Sequence, residues 1–202
     1  MKIAVFGGTG RTGIHVAEKA LAAGHEVAAL VRSPEKMRIQ DGKLMVIEGE
    51  VRDKSAVART IQGADAVISA LTPVREAMEL IIAVMKEENV QRLIVTAGAG
   101  VYQEGDAPPF ISKVISTFIK TFSRDAFEAT VEVTELVKRS NLDWTLARAP
   151  RLINKPATGN LYIGPLNSKM KATLSREDYA NFLVEQVGKD IYIGRTPVVS
   201  DK

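Results

Sequence analysis

The sequence predicts an α/β protein with a doubly wound, mostly parallel sheet in a single domain. Short apolar runs alternate along the chain with longer segments of helical periodicity, an order that favours parallel strands joined by right-handed crossovers. The apolar runs lack polar alternation, as is typical of strands that are covered on both faces. With 202 residues, the chain is long enough for one sizeable core and short for two domains.

The strand and helix patterns follow one another in a regular order. The apolar runs predicted as strands are residues 3–6, 27–31, 44–47, 66–71, 93–96 and 144–148. The segments with helical periodicity are residues 12–23, 55–61, 77–88 and 126–139. This order predicts a Rossmann-like fold, whose ligands lie beyond the carboxyl ends of the strands. Functional residues are therefore expected directly after strands.

Composition excludes several classes of protein. Hydrophobic residues make up 46% and charged residues 25%, which is typical of a folded, soluble protein. The absence of cysteine excludes a disulfide framework, a Cys-ligated metal and a thiol nucleophile, and we expect a reducing, cytoplasmic location. The 27 basic and 24 acidic residues form no long basic block, so nucleic-acid binding is not expected. The N-terminal apolar run is too short for a signal peptide or a membrane span, and no metal-ligand spacing occurs.

A glycine-rich loop follows the first predicted strand and opens the first predicted helix. It reads Gly7-Gly8-Thr9-Gly10-Arg11-Thr12-Gly13 and fits two glycine spacings of dinucleotide-binding loops, 8-10-13 and 7-10-13. Glycine allows a tight turn, a close approach of the backbone to a pyrophosphate, and close packing of helix on strand. The amides at the helix start would bind the anion, together with the side chains of Thr9, Arg11 and Thr12. A plain turn is the alternative, which the position and the flanking donors disfavour.

The end of the second predicted strand indicates which dinucleotide is preferred. NAD-specific sheets commonly place an acid there to bind the ribose 2′-hydroxyl, but this chain has Arg32 and Ser33. A cation and a hydroxyl suit a 2′-phosphate, and Lys36 adds charge nearby. We therefore expect NADP(H) to be preferred, with NAD(H) as a possible second cofactor. The simpler alternative is that Arg32 is a solvated surface residue.

Two longer segments, residues 98–123 and 150–173, interrupt the alternation. Loops of this length usually carry function, and both follow late strands. We expect them to form the substrate side of one NAD(P)-binding domain that spans residues 1–202. An apolar stripe at helical spacing runs from Phe110 to Phe122. Such a stripe usually packs on the body of the protein, with a mobile lid or a dimer surface as the alternatives.

Taken together, these residues resemble the atypical short-chain dehydrogenase/reductases. Within them, the chain is similar to the NADPH-dependent flavin and biliverdin-IXβ reductases and their NmrA-like relatives. The resemblance covers nearly the whole chain. Besides the glycine loop, it includes Leu30-Val31-Arg32, Glu48-Gly49-Glu50-Val51, Asp65-Ala66-Val67-Ile68, residues 141–151, and Ser175-Arg176-Glu177-Asp178-Tyr179-Ala180. The last of these looks like the family's final helix.

The resemblance implies cofactor contacts at matching positions. Glu50 and Val51 would lie beside the adenine, although Glu50 departs from the aspartate usual in the family's Gly-Asp-Val motif. The other implied contacts are Ala70, Leu71 and Thr72 after the fourth strand, Thr96, Ala97 and Gly98 after the fifth, and Pro150, Arg151 and Leu152 near the nicotinamide.

The acid–base pair of the main dehydrogenase branch is missing. That branch uses Tyr-x-x-x-Lys to exchange a proton with a carbonyl, whereas the four tyrosines here are followed four positions later by Asp106, Leu166, Leu183 and Thr196. This loss does not exclude hydride transfer, because the cofactor carries the reaction and the protein can act mainly by orientation. No catalytic residue is assigned.

We therefore expect an NAD(P)H-dependent reductase that passes hydride to a small conjugated acceptor such as a flavin, quinone or bilin. The alternative is a non-catalytic NmrA-like redox sensor that binds NADP(H) and reports it to a protein partner. A sugar epimerase of the extended branch fits less well, because those enzymes commonly keep the tyrosine pair. Whether the chain is a monomer or a homodimer stays open.

Overall fold

A computed structural model describes residues 1–107 and 124–202. The strands are β1 Lys2–Phe6, β2 Glu26–Val31, β3 Leu44–Glu48, β4 Ala66–Ser69, β5 Arg92–Gly98, β6 Asp143–Ala149, β7 Arg151–Ile153, β8 Leu161–Gly164, β9 Thr173–Ser175 and β10 Val198–Asp201. The α-helices are α1 Gly13–Ala22, α2 Lys54–Ile61, α3 Arg75–Glu87, α4 Arg124–Lys138 and α5 Arg176–Glu185. Single 3₁₀ turns lie at Pro34–Lys36 and Gln186–Gly188.

The main sheet has eight strands in the order β3-β2-β1-β4-β5-β6-β10-β8. All its neighbours pair in parallel except β10 and β8, which are antiparallel. The order reverses at β1, which lies between β2 and β4, and such a reversal is where ligands of doubly wound sheets bind. The prediction of a Rossmann-like, mostly parallel sheet in a single domain is confirmed. A second, two-stranded sheet pairs β7 with β9 in parallel.

The central strand β1 is buried on both of its faces. Ile3 and Val5 join one hydrophobic cluster, which includes α1 and α5, whereas Ala4 and Phe6 join the opposite cluster with α2, α3 and α4. Alternate side chains of one strand thus enter two different helical layers. This is why the apolar runs show no polar alternation.

The late part of the chain differs from its predicted organisation. Residues 150–173, expected as an irregular loop, contain β7 and β8, and β10 near the C-terminus was not predicted. These strands have only three or four residues, and their pairing partners lie far away in sequence, so no local pattern marks them.

The apolar stripe between Phe110 and Phe122 lies outside the described residues. Among the helices of the described ranges, none is long and apolar enough to cross a membrane.

Candidate functional site

The glycine-rich loop forms a tight turn at the carboxyl end of β1. The Gly10 amide donates to the Gly7 carbonyl at 2.8 Å, which closes the turn. Gly7 has a φ of +83°, in the left-handed region that favours glycine. A Cβ at this position would lie 2.9 Å from the Ala70 carbonyl oxygen, which belongs to rigid backbone. Position 7 therefore requires glycine, both because of its positive φ and because there is no space for a Cβ.

Helix α1 begins directly against this turn. A Cβ on Gly13 would collide with the carbonyl oxygen of Gly7, so only glycine lets the helix approach so closely. The first helical hydrogen bond runs from the Ile14 amide to the Gly10 carbonyl at 3.1 Å. The amides of Arg11, Thr12 and Gly13 precede that bond and belong to the donors that a helix start leaves unpaired. A positive helix end with free amides suits a phosphate group.

A cleft of about 610 Å³ lies beside the loop, at the carboxyl ends of β1 to β4. The predicted residues that line it are Gly7, Thr9, Gly10, Arg32, Glu50, Val51, Ala70, Leu71 and Thr72. Three basic side chains line it, Arg32, Lys36 and Arg52, against one acidic side chain, Glu50. This balance favours an anionic ligand. Arg52 was missed by the sequence reasoning, although it directly follows Glu50 and Val51.

The basic side of the cleft is shaped by the 3₁₀ turn after β2. The Lys36 amide donates to the Ser33 carbonyl at 3.1 Å, so the chain folds back and Lys36 lines the same cleft as Arg32. Both basic side chains are exposed, and neither forms an ion pair within the described residues. Glu35 is exposed and is not among the residues that line the cleft. Ser33 is half-buried beside Arg32.

The remaining predicted residues lie at the neighbouring strand ends. Thr96, Ala97 and Gly98 end β5 and pair in register with Ala147, Arg148 and Ala149 of β6. Thr96 also lines a narrow pocket together with Leu71 and Thr72, which connects it to the cleft residues.

The segment from Pro150 to Leu152 follows β6. Pro150 is half-buried, Arg151 is exposed, and Leu152 packs against the cluster that contains α1 and α5. The parallel sheet therefore brings these residues to the same edge as the glycine loop.

Several polar side chains that could act in acid–base catalysis are engaged elsewhere in the fold. The Tyr179 hydroxyl donates to the Ala147 carbonyl at 2.6 Å, and burial raises the pKa of this phenol. The Tyr162 hydroxyl donates to the Pro165 carbonyl at 2.7 Å. His15 contacts Glu18 on α1, and burial and then the N-terminal ammonium group lower the pKa of His25. Over the described ranges, no three His, Cys, Asp or Glu side chains converge as a metal site would require.

A buried ion pair holds the loops after β5 and β8 against β6. Arg148 donates to both carboxylate oxygens of Asp106, at 2.6 and 2.9 Å, and both side chains are almost fully buried. Asp106 also accepts from the amides of Gln103 and Leu166, at 2.8 and 2.9 Å. Arg148 donates further to the Val101 carbonyl at 3.0 Å. The pair therefore ties β6 to the loop after β5 and to the loop after β8.

Opposing effects act on the Asp106 carboxyl. Burial raises its pKa, but the hydrogen bonds from Arg148 and from the Gln103 and Leu166 amides outweigh burial and leave the pKa below its ordinary value. Asp106 therefore stays ionised beside Arg148. The sequence reasoning missed this pair, since nothing near either residue in the chain signals its partner.

Comparisons with known proteins agree with this geometry. A sequence model described as NAD(P)H-binding matches residues 7–190. The chain is 27% identical over 201 residues to the uncharacterized protein YwnB of Bacillus subtilis, covering 93% of this chain and 92% of YwnB. It is 33% identical over 102 residues to an isoflavone reductase homolog of Zea mays, covering 45% of this chain and 33% of that protein. A short-chain dehydrogenase/reductase of Veillonella parvula in complex with NADP has the same fold, with a TM-score of 0.84 at 18% identity, covering 99% of this chain and 94% of that one.

Proposed function

Because the chain belongs to the NAD(P)H-binding family, we propose that it is an NADPH-dependent reductase that passes hydride to a conjugated acceptor such as a flavin, quinone or bilin. The observation that carries the proposal is the basic cleft beside the glycine loop, at the carboxyl ends of β1 to β4. Such a cleft is where a doubly wound sheet binds a dinucleotide. The oxidoreductase-type fold supports an enzyme of this class.

Each part of the site has a proposed role in holding the cofactor. The amides at the start of α1 bind the pyrophosphate, and Arg32 with Ser33 and Lys36 binds the 2′-phosphate. Glu50 and Val51 flank the adenine. The strand-end residues of β4, β5 and β6 then continue toward the nicotinamide, in the order Ala70, Leu71, Thr72, Thr96, Ala97, Gly98, Pro150, Arg151 and Leu152.

The proposed acceptor follows from the side chains that the described part of the site provides. Bound NADPH supplies the hydride, and the reduced acceptor takes its proton from water. An alcohol or ketone substrate needs a positioned proton donor, but the hydroxyls of Tyr162 and Tyr179 are committed to backbone carbonyls. A flavin, quinone or bilin carries its own delocalised system and needs mainly orientation against the nicotinamide.

We expect the wild-type protein to oxidise NADPH in the presence of at least one of FMN, riboflavin, menadione and biliverdin. The reason is that an intact cofactor cleft supports hydride transfer to an acceptor that needs no protein acid. The measurement is the loss of NADPH absorbance, with each acceptor omitted in turn as the control. If NADPH binds but none of these acceptors is reduced, the reductase proposal fails. The redox sensor is then favoured, and a partner captured only at a particular NADP:NADPH ratio would support it.

We expect Arg32→Ala to weaken NADPH binding by roughly tenfold or more, and NADH binding much less. A charge-assisted contact to a phosphate contributes about 1.5–3 kcal/mol, and NADH has no phosphate at this position. Arg32→Asp should reverse the preference, because the new acid accepts from the 2′-hydroxyl and repels the 2′-phosphate. Dissociation constants for both cofactors are measured by fluorescence titration.

Arg139→Ala is the matched control for these variants. Arg139 is an 82% exposed arginine at the end of α4 and does not line the cleft. It should leave both dissociation constants unchanged. Equal losses for the two cofactors in Arg32→Ala would mean that Arg32 is only a solvated surface residue.

A further inference from the structure

Arg176 is a buried arginine whose guanidinium has few partners. It is the first residue of α5 and is only 7% exposed. Its Nη1 donates to Asn154 Oδ1 at 2.6 Å, whereas its Nε is fully buried without an acceptor. The described residues also provide no acceptor for Nη2, and that nitrogen, unlike Nε, is not fully buried. Nη2 is therefore the nitrogen left to bind a group from outside the chain.

The other two buried arginines of the described ranges have partners that offset the cost of burying their charge. Arg148 lies against the carboxylate of Asp106. Arg92 donates to three backbone carbonyls and to the Thr145 hydroxyl. Arg176 has neither a carboxylate nor a set of carbonyls within the part of the chain that the structure describes. A buried cation without such partners destabilises the fold unless an anion binds to it.

A second cation, Arg11, lies two residues before α1, the helix that packs against α5. Arg11 is exposed and forms no ion pair with the described residues. Burial lowers the pKa of the Arg176 guanidinium, and the positive charge of Arg11 lowers it further. Two like charges thus lie near each other at the start of α1, where the helix end is itself positive. An anion between them would relieve both the repulsion and the loss of hydration.

We propose that Arg176 and Arg11 together bind an oxyanion, a phosphate or a carboxylate, and that Asn154 orients Arg176 for this contact. The inference rests on the proposed function, because the site lies between the glycine loop and the segment after β7. Two sources carry this chemistry: the diphosphate of the cofactor, and an acidic group on the acceptor, as in FMN. Guanidinium groups bind such oxyanions through paired hydrogen bonds.

The experiment compares Arg176→Gln with wild type in ligand binding, without any need for turnover. NADP⁺ and adenosine 2′-monophosphate are one pair of probes, since the second has the 2′-phosphate but no diphosphate. FMN and riboflavin, titrated in the presence of NADP⁺, are the other pair, since riboflavin lacks the phosphate. Binding of NADP⁺ in the first pair, or of FMN in the second, should weaken by roughly tenfold relative to the other member, as expected for one lost charge-assisted contact. The affected pair identifies the source of the anion.

Several controls distinguish anion binding by Arg176 from a purely structural role of this residue. Arg139→Gln removes an exposed arginine that directly follows α4 and should leave every affinity unchanged. Arg176→Lys keeps the charge and should lose less affinity than Arg176→Gln. Asn154→Ala leaves the Arg176 charge in place and removes the contact that orients it, so it tests the same site even if Arg176→Gln does not fold.

The free protein supplies a further readout. We expect the Tm of ligand-free Arg176→Gln to equal or exceed that of wild type, because an uncompensated buried charge is removed. Unchanged affinities for NADP⁺ and FMN would overturn the proposal. A lowered Tm with equal losses for both members of each probe pair would overturn it as well, because it would indicate a structural role for Arg176. Absence of turnover in wild type, together with a tenfold loss in one probe pair, would refute the reductase function and leave this anion site standing.

Discussion

Gly13→Ala should weaken NADPH binding by at least about 100-fold, which corresponds to roughly 2.7 kcal/mol. The added Cβ would collide with the Gly7 carbonyl oxygen and lie 3.1 Å from the Cα of Gly8. Both are backbone atoms, so no side-chain rotation relieves the overlap. Either α1 must move away from β1 or the turn must open, and both changes displace the amides proposed to bind the pyrophosphate. Fluorescence titration of NADPH measures the loss.

Gly42→Ala is the matched control for this substitution. Gly42 lies in the turn before β3, has no positive φ, and has no atom within 4 Å of an added Cβ. The same chemical change should therefore leave the affinity for NADPH unaltered. Circular dichroism should show that both variants keep their helices and strands. An affinity of Gly13→Ala within a few-fold of wild type would contradict the proposed role of the loop.

The sheet could be predicted from sequence because its central strands carry the signal in their own residues. Ile3 and Val5 enter one helical layer while Ala4 and Phe6 enter the other, so residues 3–6 of β1 are all apolar. A helix with its own periodicity then follows. By contrast, β10 depends on partners such as Gly164 and Arg148, which are distant in sequence. Its four residues form a strand only once the sheet exists.

The same distinction applies to the site. The glycine loop and Arg32 are local signals, because a turn, a helix start and a strand end place them without help from distant residues. The ion pair between Arg148 and Asp106 joins residues 42 positions apart, so it becomes visible only in the folded chain. Arg176 was noticed only as part of a motif that resembles a known helix. Its proximity to Arg11 depends on the packing of α5 against α1, which no sequence pattern reports.

Asp106→Ala should destabilise the protein by about 3–5 kcal/mol, because it leaves the Arg148 guanidinium buried without its counter-charge. The amides of Gln103 and Leu166 lose their acceptor as well. The free energy of unfolding in urea measures this loss. Glu135→Ala is the control: Glu135 pairs with Lys138 at 3.3 Å on an exposed helix face, and exposed pairs contribute about 0–1 kcal/mol. Similar losses in the two variants would show that the buried pair does not hold the loops after β5 and β8 against β6.

The stabilisation that the Arg148–Asp106 pair contributes should depend on pH, and the direction of this dependence follows from the pKa of Asp106. The pKa of Asp106 is lower in the folded chain than its ordinary value, so the unfolded chain binds the proton more readily. The stabilisation is therefore fully present above the ordinary carboxyl pKa of about 4 and is lost as the pH falls through the lower, folded value. Asp106→Asn removes this titration while keeping the size of the side chain. The difference in unfolding free energy between wild type and Asp106→Asn should be largest near neutral pH and shrink steadily in acid. A difference that stays constant in acid would mean that Asp106 stabilises the fold through packing and not through its charge.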